Sequence, residues 1–344
     1  MKTEAREGDM VENSRGAIFD VKGLVHPHGK VVAFIRYFQN VMGERKRNKV
    51  TYEKVYSLAK RFEILKEMFP QYIVHDPVFD EILCEVPVQD IKKHYRPFEK
   101  FKKLRESSRP DALEAKALHL LNLLVEKTDI PLDAIGISGS ILVKLHKPGS
   151  DIDVLIYGSR NCSRVYSVLG QLLKDKSSPL KSYNKQELVN LFDFRSKDTA
   201  MSFEDFVRTE SKKVLQGTFL KTDYFVRFVK DWNEVDEKYG DIQYRNVGYT
   251  RIEATVIDDS EAIFTPCIYR IANVKFLEGA GCETVKEITS FRGRFCEQAK
   301  PDERVVAQGK IEQVTDTRDN SQHFRLLVGN NHEDFIVPQP SELS

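Results

Sequence analysis

The chain has 344 residues, 41% of them hydrophobic and 31% charged, enough for two or three domains with a sizeable core. Its 53 Lys and Arg against 52 Asp and Glu leave a net charge of +1, which excludes a blanket polycation, so nucleic-acid binding would have to come from local patches. Cys84, Cys162, Cys267, Cys282 and Cys296 are odd in number and contain no Cys-x-x-Cys pair, which argues against a disulfide framework or a zinc site and for a reducing, cytoplasmic setting. No apolar run approaches membrane-spanning length, and the charged start MKTEAREGDM does not read as a signal peptide.

Residues 1–8 are expected to be disordered. Strands are predicted at 17–21 and 31–37, around a turn that carries His26 and His28. With no third ligand nearby, these two histidines read as loop residues rather than as a metal site. The run from Arg45 to Lys49 is basic, which suits either contact with a phosphate backbone or a solvated loop. Val55, Leu58, Ala59, Phe62, Leu65 and Met68 recur at helical spacing, which predicts an amphipathic helix over 51–69. Residues 81–86 are extended. A helix is expected over 89–104, interrupted near Pro97. It interleaves Lys92, Lys93, His94, Arg96, Lys100, Lys102 and Lys103 with Tyr95, Phe98 and Phe101. That pattern suits either base stacking or a buried aromatic stripe. After a linker at 106–110, a helix is predicted over 111–127.

Residues 134–157 read AIGISGSILVKLHKPGSDIDVLIY. The apolar run 134–137 fits a buried strand, Ser138, Gly139 and Ser140 break it, 141–146 can form a short helix, and 147–150 is a turn by composition. A second strand spans 151–156. Alternation puts Asp151 and Asp153 on one face, roughly 7 Å apart along the backbone, with Ile152 and Val154 turned into a core. Two adjacent carboxylates repel, and a divalent cation is the usual offset. Hard oxygen ligands suit Mg²⁺ or Mn²⁺. Small residues at a helix start favour an anion. An anion cradle beside a carboxylate pair is the equipment of metal-assisted phosphoryl or nucleotidyl transfer.

Helices follow at 159–174, 184–194 and 202–215, then strands at 222–229 and 248–257 that are expected to pair as an antiparallel ribbon. From residue 261 helical periodicity disappears. Short strand-like runs at 263–276, 288–295, 304–314, 324–328 and 334–337 predict a small all-β barrel-like domain. Within it, 290–295 alternates aromatic and basic residues, as the binding strand of an oligonucleotide-binding barrel does and as an ordinary strand with one solvated face also does.

Gly139 and Ser140, ten intervening residues, and then Asp151, Ile152, Asp153 and Val154 resemble the signature of the DNA polymerase β-like nucleotidyltransferase superfamily. The whole arrangement also looks like uncharacterised archaeal nucleotidyltransferase-domain proteins. The resemblance implies an α+β fold. Its parts are a polymerase β-like nucleotidyltransferase core (a mixed sheet with helices) over 107–259, an N-terminal α+β domain over 1–106, and a C-terminal small all-β barrel-like domain over 260–344. It implies that Asp151, Asp153 and a third carboxylate hold two Mg²⁺ (or Mn²⁺) ions. Glu253, between Ile252 and Ala254, is the favoured third acid, and Asp223 is the alternative. Gly139 and Ser140 would hold the phosphates of an NTP, with Lys144, Lys147 and Ser150 close by. A hydroxyl acceptor, expected on RNA or DNA, would attack the α-phosphorus, and pyrophosphate would leave. Ile141, Leu142 and Val143 depart from branches in which a basic residue and a glycine follow the Gly-Ser pair. The small antitoxin-like and aminoglycoside-modifying branches are therefore less natural relatives. The alternative reading is a nucleotide- or nucleic-acid-binding regulator that keeps the fold without turnover.

Overall fold

The computed structural model of the chain describes residues 4–197, 200–279, 281 and 284–340; Cys282 and the end of the polar tail lie outside them. The chain divides into two compact units. One comprises Met1–His75, Ile82–Lys181 and Val214–Asp236, and the other Asp76–Glu81, Ser182–Lys213 and Glu237–Ser344. The boundaries expected at 106/107 and 259/260 do not coincide with this division. The N-terminal sheet shares a unit with the Asp151–Asp153 stretch, whereas the helices predicted at 184–194 and 202–215, which are Lys185–Arg195 and Phe203–Glu210, and the strand at 248–257 fall in the second unit.

The first unit opens with an eight-stranded sheet. Its long strand, Lys30–Gln39, pairs with Ile18–Val21 on one side and with Val50–Lys54 on the other. Val50–Lys54 forms a hairpin with Arg45–Arg47, turned by Asn48 and Lys49, both with positive φ, as tight hairpin turns require. The helix predicted over 51–69 is therefore corrected to Leu58–Met68. It is capped by Ser57, whose side chain accepts from the Lys60 N–H, so a polar cap six residues inside the apolar pattern marks the true start. Residues 89–104 need the same kind of correction. Ile91–Tyr95 is a strand against Met10–Asn13, and the helix is Pro97–Arg105. Proline occupies its first turn, where no N–H is needed, so the expected interruption is the helix start. Phe101 is buried and Lys100 pairs with Glu114 at 2.6 Å, which favours the buried-stripe reading of this segment.

The start of the chain is another correction, because residues 4–8 are packed. Arg6 lies 3.5 Å over the Tyr157 ring, and Ala5 and Glu7 are buried. Gly8 has φ +88, and a Cβ there would meet Leu155 Cδ2 at 2.1 Å. His26 binds the Ala5 carbonyl at 2.9 Å and accepts from the Val32 N–H at 3.3 Å, so it ties this segment down, as a loop residue rather than a metal ligand.

The second sheet of this unit has five strands, in the order Leu180–Lys181, Gln216–Phe219, Thr222–Val229, Ile152–Tyr157 and Ile135–Ile137. Ile152–Tyr157 runs parallel to Thr222–Val229 and antiparallel to Ile135–Ile137, so the sheet is mixed. The parallel pair needs a crossover, and helix Ser159–Lys174 begins it. Helix Ala112–Thr128 packs beside that helix. A separate cluster of Met10, Ile18, Tyr37, Tyr52, Leu142, Val143 and Leu145 joins the N-terminal sheet to the loop that precedes the aspartates.

In the second unit, Ile242–Asp258, Cys267–Gly279, Val285–Ser290, Ser321–Leu327 and Arg304–Asp316 pair in that order, and the last pairs back onto the first. This is a closed barrel, with Phe335–Pro338 added at one edge. It begins about twenty residues before the predicted change of character at 261, because the long strand 242–258 is its first stave. Residues 290–295 are not a barrel strand. Gly293–Phe295 is a single tight turn, Phe295 is buried, and Arg294 donates to the Arg195 carbonyl at 3.4 Å.

Candidate active site

The strand Ile152–Tyr157 carries Asp153 on the face opposite the buried Ile152 and Val154, with Asp151 immediately ahead of it. Ser138 continues the ladder on the other side. Its N–H donates to the Asp153 carbonyl at 2.8 Å, and its hydroxyl donates to the Gly8 carbonyl at 2.7 Å. The chain then turns through Gly139 at φ +59 into the four-residue helix Gly139–Leu142. A Cβ at position 139 would stand 1.8 Å from Asp153 Oδ2. Only glycine lets the carboxylate lie against the main chain there.

The Ser140 hydroxyl is buried and has no hydrogen-bond partner, an arrangement that is unfavourable unless something else supplies one. Neither Asp151 nor Asp153 accepts a side-chain hydrogen bond or forms an ion pair among the described residues. Burial pushes the Asp153 carboxyl up to about 7, and the neighbouring Asp151 adds to this, while Lys54, Arg227 and Arg36 pull the other way. Two hard carboxylates without donors, beside an orphaned hydroxyl, fit a divalent cation and its ligands.

The surrounding charges come largely from the N-terminal sheet, a contribution that the chain order conceals. Lys54 and Arg36 lie on the paired strands Val50–Lys54 and Lys30–Gln39. Burial, and then Arg36, lower the Lys54 ammonium pKa, and Asp151 and Asp153 oppose this. Burial would raise the Asp20 carboxyl, but Lys22 at 2.8 Å, with Arg227 and Arg36, holds it well below the usual carboxylate range. The hairpin is pinned to the loop after Ser140. Arg45 donates to the Leu145 carbonyl at 2.6 Å, Arg47 to the Val143 carbonyl at 3.3 Å, and Lys147 pairs with Glu44 at 2.6 Å.

The other expected residues fall in different places. Ser150 is buried and its hydroxyl accepts from the Lys147 N–H at 3.1 Å, so it closes the turn that delivers Asp151. Lys144 is exposed, with φ +57. Glu253, the favoured third acid, lies on Ile242–Asp258 in the second unit's barrel, outside the sheet that carries Asp153, and pairs with Arg304 at 2.7 Å. The strands beside Ile152–Tyr157 are Ile135–Ile137 and Thr222–Val229, so 248–257 does not form a ribbon with 222–229. Its apolar-acid-apolar pattern is that of any half-buried barrel strand.

Asp223 lies on the neighbouring strand. Tyr224 pairs with Ile152, so Asp223 precedes its strand partner as Asp151 precedes its own. Asp223 is exposed. Further along the same face, Phe225 stands level with Asp153 and Arg227 level with Leu155. No third Asp, Glu, His or Cys among the described residues closes a three-ligand group with the aspartate pair.

Asp111, Glu114 and His146 do bring three ligand-type atoms within 4.8 Å of one another. They are already engaged as a helix cap. Asp111 accepts from the Leu113 and Glu114 N–H groups and contacts His146 at 2.6 Å, while Glu114 takes the Asp111 N–H and Lys100. A capping box accounts for this cluster without a metal.

Over 343 residues the chain is 31% identical to the uncharacterized protein MJ1086 of Methanocaldococcus jannaschii, a match that covers 97% of this chain and 98% of that one. No family model matches the chain, and no solved structure matches it. Among the described residues, no helix is long and apolar enough to cross a membrane.

Proposed function

We propose that this chain, which belongs to the same family as that archaeal protein, is a metal-dependent nucleotidyltransferase that moves a nucleoside monophosphate from an NTP to a hydroxyl of a nucleic acid. One observation carries the reading. Asp151 and Asp153 stand together without hydrogen-bond donors, with Asp153 pressed against Gly139 and the partnerless Ser140 hydroxyl following it. Asp151 and Asp153 would hold Mg²⁺ or Mn²⁺, which when bound supplies charge neutralisation on the phosphates and a more acidic acceptor hydroxyl. The chain's own groups do the rest. The Ser140 hydroxyl would donate a hydrogen bond to a phosphate oxygen. Gly139 leaves room for the phosphate and the carboxylate side by side. Ser150 fixes the turn that delivers Asp151. The acceptor hydroxyl loses its proton to solvent as its oxygen attacks the α-phosphorus, the bond from phosphorus to the bridging oxygen breaks, and pyrophosphate leaves with that electron pair. A cytoplasmic setting accords with Cys84, Cys162, Cys267 and Cys296, all free and buried.

A second reading has its own observation. Phe225, not an acid, stands level with Asp153 on the parallel strand, and Asp223 is exposed at the strand's start. A site with two acids instead of three favours nucleotide binding without turnover, as in a regulatory protein.

The test is to incubate the pure protein with each α-labelled NTP and dNTP, Mg²⁺ or Mn²⁺, and mixed RNA and DNA, beside Asp151→Ala/Asp153→Ala. Label transferred by the wild type and not by the double variant is the expected result. Metal-dependent NTP binding without transfer selects the regulatory reading, and neither binding nor transfer rejects both.

A further inference from the structure

We propose that the exposed lysines Lys49, Lys93 and Lys144 form the docking surface for a nucleic-acid strand, holding its phosphate backbone beside the turn that joins Gly139 to Asp153. This gives the acceptor of the transferase reading above a place on the molecule, and it rests on that reading only for what the bound strand is used for.

One arginine assembles the surface. Arg47 donates to the Tyr95 hydroxyl at 2.8 Å and to the Val143 carbonyl at 3.3 Å. It also donates to both Glu12 carboxylate oxygens and to the Tyr52 hydroxyl, each at 2.9 Å. Three segments far apart in the chain therefore meet at a single guanidinium, and each brings a lysine. Lys49 sits in the two-residue turn that follows Arg47. Lys93 flanks the same ring as the arginine. Its ammonium lies 4.4 Å from the Tyr95 ring centroid, and the Arg47 guanidinium carbon lies 6.0 Å from it. Lys144 directly follows Val143, at a backbone position with φ +57. Tyr52, Leu142, Val143 and Leu145 are buried in one cluster, with Tyr95 packed against it, so the three segments are held together by packing as well as by hydrogen bonds.

Charge on this surface is unbalanced. All three lysines are exposed, and among the described residues none has a carboxylate within ion-pair distance. The acids nearby are already engaged. Glu12 takes Arg47 and accepts from the Tyr95 hydroxyl, and Glu44 takes Lys147. In a chain whose 53 basic and 52 acidic side chains nearly cancel, several ammonium groups left together are a local positive patch. A polyanion with regularly spaced phosphates engages separate cations at once, as a nucleic-acid backbone does. The patch adjoins the candidate active site through the main chain. Helix Gly139–Leu142 ends where Val143 and Lys144 begin, and its first residue is the glycine against which Asp153 lies. About 6 Å of helix separates the two, so a strand on the lysines can present a hydroxyl to the aspartates.

The experiment follows, by fluorescence anisotropy across a range of salt, the binding of a short labelled single-stranded RNA, and of DNA of the same sequence, to the full chain. Wild type is compared with Lys49→Gln/Lys93→Gln, with that variant carrying Lys144→Gln as well, and with Lys127→Gln/Lys174→Gln, a loss of charge in the last turns of two helices outside the surface. MgATP binding is titrated in parallel, and thermal unfolding confirms that each variant is folded. Each lysine removed from the surface is expected to reduce the steepness of log K against log salt by about 0.7. The triple variant is expected to bind both strands roughly tenfold or more weakly, because phosphate contacts carry no sequence information. Lys127→Gln/Lys174→Gln keeps the wild-type salt dependence, and Lys49→Gln/Lys93→Gln keeps the wild-type MgATP affinity. If the triple variant retains the wild-type Kd and salt dependence, or if Lys127→Gln/Lys174→Gln loses as much, the docking surface is overturned. Weaker MgATP binding in Lys49→Gln/Lys93→Gln would assign these lysines to the nucleotide instead and overturn it too. If the wild type binds MgATP but neither strand, the docking surface falls and the nucleotide site stands. If it binds the strands through these lysines but does not bind MgATP, the surface stands and the transferase reading falls.

Discussion

The carboxylate of Asp153 lies directly against the α-carbon of Gly139, so closely that a methyl group there would stand 1.8 Å from Oδ2. Gly139 and Asp153, fourteen positions apart in sequence, are one steric unit. Gly139→Ala must move the carboxylate or the turn, and φ +59 adds backbone strain of about 1 kcal/mol for alanine. The expected outcome is a folded protein with a modestly lowered Tm that has lost metal-dependent nucleotide binding. Isothermal titration with MgATP checks it. Binding at wild-type strength would mean that the close contact has no bearing on the ligand.

The Gly-Ser-to-Asp stretch was legible in the sequence because every feature in it is local. The turn and the alternating strand are written within 24 residues, whereas the short helix expected over 141–146 is Gly139–Leu142, because it starts at the Gly-Ser pair itself. Helix Ser159–Lys174 and strand Thr222–Val229 also fall where periodicity puts them. What could not be read was pairing between distant segments. Charges that bear on Asp153 come from residues 36 and 54, about a hundred positions earlier, and nothing in their own neighbourhood marks them. The pattern around 51–69 misled because Val55 and the true helix Leu58–Met68 share one apolar phase. The packing of residues 4–8 depends on Glu7 finding Arg227, which composition cannot show.

The third-acid question has a direct answer by substitution. The strand beside Asp153 is Thr222–Val229, and Glu253 is committed to Arg304 in another sheet. Asp223→Asn is expected to reduce transfer at least tenfold under saturating Mg²⁺, as loss of a transition-state contact would. Glu253→Gln is expected to leave transfer unchanged and cost under about 1 kcal/mol of stability, because its ion pair is solvent-accessible. Initial rates of label transfer for the two variants decide between them, and the reverse ranking would reinstate Glu253.

Protonation of Asp153 should be visible in stability. Burial and Asp151 raise the Asp153 carboxyl to about 7 from an ordinary 3.8. Between those pH values the folded state holds more protons than the unfolded one, so this group's contribution declines as pH rises from about 4 to about 7 and stays low above that. Asp153→Asn removes the penalty. The variant should be more stable than wild type at pH 8 without metal, by on the order of 1–3 kcal/mol, and the gap should close towards pH 4. Mg²⁺ should stabilise wild type at pH 8, an effect reversed by chelator and absent from the variant. Urea unfolding at pH 4.5, 6 and 8, with and without Mg²⁺, measures all of this. A pH-independent gap would mean that Asp153 is ionised throughout.

Glu7 holds Arg227 in an ion pair. Its side chain is fully buried and receives Arg227, Lys22 at 3.4 Å and the Gly23 N–H at 2.8 Å. Arg227 points from the face shared with Asp153, one strand over, and already bears on its ionisation. Glu7→Gln keeps the shape and removes the charge. Breaking one side of a buried pair costs about 3–5 kcal/mol when the remaining charge has nowhere to go, but here Arg227 has Asp153 to turn to. The expected loss is therefore smaller, about 1–3 kcal/mol, and Arg227 then competes with the cation for the carboxylate. The signature is a variant whose Mg²⁺-dependent rise in Tm needs roughly tenfold more Mg²⁺, while Glu7→Gln/Arg227→Met recovers the wild-type requirement. An unchanged Mg²⁺ midpoint in the single variant would show that Glu7 only anchors the start of the chain.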